Sequence, residues 1–215
     1  MTPSDTCPLC LSPEFQDYYE DKKRRYLQCE RCELVFVATE FLPDRMQEKA
    51  EYDLHENSFE DAGYRQFLSR ACAPVTEALT PPAAGLDFGC GPAPVLADML
   101  TQAGFSMKWY DPLYADDKSV LCSGYDFITC TEAIEHFHRP VNELSQLTSL
   151  LRPDGLLVIM TKRVESRERF AGWHYKNDMT HVSFFSASTF DYIGREFGFS
   201  VTLYSKDVVL LKKHP

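Results

Sequence analysis

The 215-residue chain is 44% hydrophobic, 25% charged and 13% aromatic, with a formal net charge of −10. This composition supports a packed core and excludes extensive disorder, and the acidic balance excludes a protein that coats nucleic acid through a general basic surface. No apolar run approaches the roughly 20 residues of a membrane-spanning helix. The opening MTPSDTCPLC lacks the basic-then-apolar pattern of a secretory signal, so a cytoplasmic location without membrane contact is expected.

Residues 1–40 hold two cysteine pairs and the strand-like runs FQDYYE and ELVFVA. Cys7-Pro-Leu-Cys10 and Cys29-Glu-Arg-Cys32 are separated by 18 residues, the C-x2-C…C-x2-C pattern of a zinc ribbon. Two residues between cysteines let both thiolates of a knuckle face one ion, and two knuckles close a tetrahedral shell. With no open position left for water, such a Zn2+ is structural. The competing reading is a set of redox or incidental thiols, which two pairs at ribbon spacing disfavour. Cys72, Cys90, Cys122 and Cys130 read as reduced, half- or fully buried small side chains. The basic run Lys22-Lys23-Arg24-Arg25 reads as a solvated turn.

Residues 41–62 are polar and acidic with no clean period, and read as a linker or capping segment. Residues 63–215 then form the main domain. Tyr64, Phe67, Leu68, Ala71, Val75 and Leu79 recur at helical spacing until Thr80-Pro81-Pro82. Strand GLDFG, helix PVLADMLTQAG, strand FSMKWYD and strand YDFITCT follow. Helix VNELSQLTSLLRPDG, predicted to stop at Pro153 and Gly155, leads into strand GLLVIMTK. Helix SASTFDYIGREFG and a hairpin turned at Lys206-Asp207 close the chain. The alternation predicts an α/β fold: a Rossmann-like, doubly wound, mostly parallel sheet with a C-terminal antiparallel hairpin, plus the small ribbon.

Leu86-Asp87-Phe88-Gly89-Cys90-Gly91-Pro92 joins a strand to a helix, at the sheet edge where α/β proteins bind ligands. Gly89 and Gly91 let the backbone turn tightly and approach a ligand. Twenty residues after Gly91, at the end of the next strand, Asp111 offers a carboxylate to both hydroxyls of a ribose. A dinucleotide fingerprint needs Gly or Ala where Pro94 stands, and no P-loop lysine is present. Asp87 is poorly suited to a pyrophosphate and well suited to the ammonium of a methionine moiety. The pattern therefore favours S-adenosylmethionine over NAD.

These residues resemble motifs I and II of the class I S-adenosylmethionine-dependent methyltransferases. Thr131-Glu132-Ala133-Ile134-Glu135-His136 is similar to the family's E-x-x-E-H segment after the fourth strand, and Leu151-Arg152-Pro153-Asp154-Gly155-Leu156-Leu157 to its L-x-P-G-G-x-L turn, with Asp154 in place of a glycine. Within that family the chain looks like bacterial methyltransferase-domain proteins related to ubiquinone-type methylases. Trp173–Phe185 is similar to a sub-group carrying W-x-Y-x-x-D-x-T-H. The resemblance implies that Asp87, Gly89, Cys90 and Gly91 line the methionine end, that Asp111 holds the ribose with Pro112 and Leu113 against adenine, and that Thr131 and Glu132 sit beside the sulfonium. Ala93 stands where many relatives have a third glycine, and the stretch from Asp111 to Tyr125 is too short for a full strand and helix.

Methyl transfer from a sulfonium is an in-line displacement that positioning alone can accelerate strongly. An oxygen or nitrogen acceptor can also require a base. The candidates are His136 after the fourth strand, and His174, Tyr175, Asp178 and His181 after the fifth. His181 leads as base or acceptor-orienting residue and His136 is second. The bland reading for a single histidine is a hydrogen-bonded structural residue. Phe184, Phe185 and Phe190 read as core. The expected function is methyl transfer to an O, N or C nucleophile of a small molecule. The alternatives are an RNA methyltransferase gripping rRNA or tRNA through the ribbon, and a non-catalytic zinc-containing module on a methyltransferase scaffold.

Overall fold

The computed structural model describes residues 6–54 and 58–215. The first five residues of the predicted ribbon and residues 55–57 of the predicted connecting segment lie outside the described residues. Strands β1 (Phe15–Glu20), β2 (Arg25–Cys29) and β3 (Val35–Val37) pair antiparallel, and a short strand from far along the chain, β8 (Ser183–Phe184), adds to β3. Strand β2 was not foreseen in the sequence. Its neighbours Tyr26 and Leu27 are both buried, Tyr26 among Phe170, Tyr175 and Phe184 and Leu27 against the main sheet. A strand covered on both faces loses the alternation that reveals one covered on a single face.

The second sheet has six strands: β4 (Ala84–Phe88), β5 (Ser106–Tyr110), β6 (Tyr125–Thr131), β7 (Leu151–Met160), β9 (Phe199–Leu203) and β10 (Val208–Lys213). Their order is β5-β4-β6-β7-β10-β9; the first four run parallel, and β10 is antiparallel to both β7 and β9. This is the doubly wound sheet with a terminal hairpin. Helices α2 (Ala62–Ala78) and α3 (Val95–Gln102) cover one face through Leu68, Val75, Leu96 and Leu100. Helices α4 (Pro140–Leu150) and α5 (Ala187–Phe197) share the other face with the N-terminal sheet. Leu27, Leu34 and Phe36 enter the same apolar cluster as Ile128, Leu147 and Ile159, each such side chain contributing about 1.5–3 kcal/mol when fully buried.

Two boundaries differ from expectation. Helix α4 ends at Leu150, and Arg152-Pro153-Asp154 already belong to β7. Lys213 donates to the carbonyls of Thr148 and Leu151 at 2.7 Å each, satisfying two acceptors freed at the helix end. Residues 41–62 contain helix α1 (Arg45–Tyr52), whose Asp44 accepts from the N–H groups of Met46 and Gln47 while Gln47 reaches back to Asp44. None of its residues is buried, so no apolar period marks it. Between β5 and β6 only a 3-10 turn, Lys118–Cys122, stands where a strand and helix would need more chain. That turn leaves Cys122 exposed rather than buried as expected.

Candidate functional site

The two cysteine knuckles fold alike. Leu11 N–H donates to Cys7 O (2.9 Å) and Glu33 N–H to Cys29 O (3.1 Å), and both Leu11 and Glu33 take positive φ, 60° and 58°. The result brings Cys7 Sγ to 3.4 Å from Cys32 Sγ and Cys10 Sγ to 3.3 Å from Cys29 Sγ, all four within 4.8 Å and none in a disulfide. Bonds of about 2.3 Å to a tetrahedral Zn2+ place thiolates about 3.8 Å apart, so the donor set fits. The thiols do not behave independently: hydrogen bonds with Cys32 and Cys7 hold Cys29 down to about 2, and hydrogen bonds with Cys29 and Cys7, then burial, hold Cys32 well above the ordinary thiol range.

The glycine turn lies at the carboxyl ends of β4 and β5. Gly89 and Gly91 have φ of 77° and 66°, and a Cβ at Gly89 would stand 2.6 Å from Ala133 Cβ. Gly89 N–H donates to Tyr110 O at 2.8 Å, and Gly91 N–H to Asp111 Oδ2 at 3.0 Å. Asp111 Oδ1 accepts from Leu113 (2.8 Å) and Tyr114 (3.1 Å), so one carboxylate sets both the turn and the following loop. Two donors fill Oδ1, while Oδ2, with one donor, keeps a second lone pair for a ligand hydroxyl. Asp87 is buried and accepts from the Thr129 hydroxyl at 2.8 Å; burial pushes its carboxyl up to about 6 against that bond. A cleft of about 20 Å³ runs between Tyr64, Asp87, Gly89, Cys90 and Thr131. Thr131 Oγ1 is buried there without a partner. A larger cavity, about 440 Å³, opens along the unpaired edge of β5 between Lys108, Trp109 and Asp116. It touches none of the turn residues, and chemistry favours the turn.

Beyond the turn, β6 ends at Thr131, Glu132 takes φ of 46°, and a 3-10 turn carries Glu135 and His136. The connection from β7 returns Tyr175, Asp178 and His181 to this place. The His136 and His181 rings lie 4.7 Å apart, Tyr175 packs 4.1 Å from His181, and the Tyr175 hydroxyl donates to Glu135 Oε1 at 2.5 Å. His181 Nδ1 is 2.7 Å from Tyr175 O and His136 Nδ1 is 3.1 Å from Thr180 O. A carbonyl only accepts, so both Nδ1 atoms carry a proton, and in the neutral tautomer this leaves the lone pair on Nε2. Burial lowers His181 below the ordinary histidine range. Burial also acts on Asp178, but the Thr180 hydroxyl and His181 outweigh it and hold that carboxyl low. Burial and then the Glu135 carboxylate raise Glu132. Among the predicted residues His174 stands apart: it is exposed, with Nε2 3.0 Å from Lys162 Nζ. Pro112 is exposed and Leu113 half-buried in the loop held by Asp111.

Several contributors were not singled out in the sequence. Glu135, fully buried, sits within the E-x-x-E-H segment already noted. Tyr52 of α1 packs 5.1 Å from His136, and Glu48 meets His138 Nε2 at 2.7 Å, so α1 caps the site. The basic run is the plainest correction. Lys22 and Lys23 are exposed, but Arg24 is buried and donates to the carbonyls of Asp178 (2.8 Å), Met179 (3.0 Å), His181 (3.0 Å) and Lys176. Arg25 pairs with Asp17 at 2.6 Å. The buried Lys176 in turn meets Asp21 at 3.0 Å. Charge density along a sequence does not reveal a guanidinium that folding aims inward.

A family model described as a methyltransferase domain matches residues 58–204, more than half of the chain. No curated protein matches it. Among solved structures, 1,6-didemethyltoxoflavin-N1-methyltransferase from Burkholderia thailandensis, solved with 1,6-didemethyltoxoflavin and S-adenosylhomocysteine, is 16% identical; the match covers 94% of this chain and 100% of that one with a TM-score of 0.52. Magnesium protoporphyrin IX methyltransferase from Synechocystis PCC 6803, with bound S-adenosylhomocysteine, is 14% identical over 77% of this chain and 92% of its own, TM-score 0.51. An O-methyltransferase family protein from Burkholderia thailandensis is 15% identical at a TM-score of 0.49, over 68% of this chain and 56% of its own, so the chain spans little more than half of that relative. At these identities the likeness is one of fold. The family match runs from α2 through β9 and takes in the whole candidate cofactor edge, and by it the chain belongs to the methyltransferase-domain family.

Proposed function

We propose that the protein moves a methyl group from S-adenosylmethionine to a small-molecule acceptor. The observation that carries this is the turn Asp87–Gly91 tied by hydrogen bonds to Asp111 at the end of the neighbouring strand. In this reading Asp87 receives the cofactor's ammonium, and Gly89, Cys90 and Gly91 give its methionine end close backbone contact. Asp111 holds the ribose, Pro112 and Leu113 flank the adenine, and Thr131 and Glu132 stand at the sulfonium. The relatives solved with S-adenosylhomocysteine share this fold. Buried carboxylates around the cleft favour a cationic donor.

The acceptor faces His136, Tyr175, Asp178 and His181, whose Nε2 lone pairs orient it; His174 has no part beside them. The acceptor's lone pair forms the new bond to the methyl carbon as the carbon–sulfur bond breaks, its electron pair passes to sulfur, and a proton carried by the acceptor leaves through this cluster. The four cysteines hold a structural Zn2+ that keeps the N-terminal sheet as one wall of the acceptor site. Arg24 and Arg25 are engaged within the protein, which weighs against a ribbon gripping RNA.

Calorimetric titration with S-adenosylhomocysteine tests the cofactor reading, and absence of binding removes it. Labelled methyl transfer is expected into a small-metabolite fraction; incorporation into total RNA alone would replace the acceptor class.

A further inference from the structure

We propose that Glu135, His136 and His181 form a site for a divalent first-row cation, separate from the four cysteines and placed at the acceptor end of the cofactor edge. One donor atom from each of the three lies within 4.8 Å of the others. They arrive from two directions, Glu135 and His136 on the turn after β6 and His181 on the connection before β8, so folding brings them together.

Both imidazoles are already set as ligands. Each is held by an Nδ1–H donated to a backbone carbonyl, Thr180 O for His136 and Tyr175 O for His181. A second hydrogen bond of this kind is what orients metal-binding histidines and fixes the tautomer that leaves Nε2 bare. Glu135 supplies the independent observation. It is fully buried, Oε1 takes the Tyr175 hydroxyl, and Oε2 has no partner. A buried carboxylate oxygen without a donor is costly, and hydrogen bonding within the cluster leaves it unmet. A cation among the three groups meets it. Asp178 Oδ2, 3.6 Å from His181 Nε2, adds negative charge beside the same position.

The donor set defines the class of ion. Two imidazoles and one carboxylate suit zinc, manganese or iron in the divalent state and are too nitrogen-rich for magnesium or calcium. Three protein ligands leave open positions, which an acceptor hydroxyl fills, so the two Nε2 lone pairs orient that oxygen through the cation rather than directly; the cation eases loss of its proton. This purpose rests on the methyltransferase reading, whereas the existence of the site does not.

The test uses the full chain with its cysteine-bound zinc quantified. Mn2+ titration followed by electron paramagnetic resonance is expected to show one bound ion per chain. Glu135→Gln and His181→Gln are expected to weaken it by about tenfold or more, while each still binds S-adenosylhomocysteine by calorimetry. A wild-type chain that binds no Mn2+, or variants that bind it as wild type does, overturns the site. Should the variants lose both ligands through misfolding, spin-echo modulation on Mn2+-loaded wild type decides: coupling to histidine nitrogen supports the site and its absence overturns it. Mn2+ binding without S-adenosylhomocysteine binding would sink the methyltransferase reading and leave the cation site standing.

Discussion

At the scale of single residues, the carboxyl of Asp87 ties function to pH. It lies buried beneath the glycine turn, with Asp111, Tyr64, Cys90 and Cys130 as its titratable neighbours, and burial lifts it to about 6. An ammonium ligand requires the ionised form. Affinity for S-adenosylhomocysteine should therefore be level above about pH 6 and fall by up to about tenfold per unit below it. Calorimetry from pH 5 to 8 reads this, and Asp87→Asn should weaken binding and flatten the profile. A second residue-scale expectation concerns Tyr175, whose hydroxyl donates to buried Glu135 and lies 3.2 Å from Thr161 Oγ1. Tyr175→Phe strips Glu135 of its donor and should cost about 1–3 kcal/mol in denaturant unfolding. Unchanged stability would show that Glu135 finds another donor.

At the scale of elements, the N-terminal sheet and the connection after β7 work as one unit. Arg24 follows the β1–β2 turn and reaches carbonyls of Lys176, Asp178, Met179 and His181, spanning the loop proposed to face the acceptor. A lysine cannot reproduce the planar fork. Arg24→Lys should raise the acceptor KM by about tenfold while leaving cofactor affinity unchanged, a split that a general loss of fold would not give. Helix α1 offers a milder case. Asp44→Ala removes its cap, costing about 1 kcal/mol of local stability, visible as faster amide exchange over residues 45–52 with the main sheet unaffected. Much of this layer was legible: the glycine turn, Asp111 and the strand-end histidines fall where a parallel sheet puts its ligand edge. Strand β2 and helix α1 were not, one because both its faces are covered and the other because none of its residues is buried.

For the whole molecule, the shared core decides how the parts respond together. Cys7, Cys29 and Cys32 belong to the same apolar cluster as Ile128 and Ile159 of the main sheet, and β3 pairs with β8. In the zinc-bound form proposed above, removing the ion should therefore do more than loosen the N-terminal sheet. Chelation, or Cys29→Ser, should lower the midpoint of thermal unfolding of the entire protein and speed amide exchange in residues 174–184 as well as in the first 40. Exchange confined to the N-terminal residues would show the two layers to be energetically separate. Among the described residues no helix is long and apolar enough to cross a membrane.

The amino-acid sequence by itself determined the paired cysteine knuckles, the D-x-G-x-G turn with its partner acid and the alternation that builds a parallel sheet. Each is a local spacing, and backbone geometry converts local spacing directly into shape. Only the tertiary structure decided that Arg24 points inward, that Glu135 is buried with an oxygen unmet, and that His136 and His181 stand together while His174 stays in solvent. Those facts depend on segments from about 40 to more than 150 residues apart meeting across a packed core, as in the contacts of Tyr175 with Glu135 and of Arg24 with Asp178. No spacing along the chain encodes which of many such meetings the core will enforce.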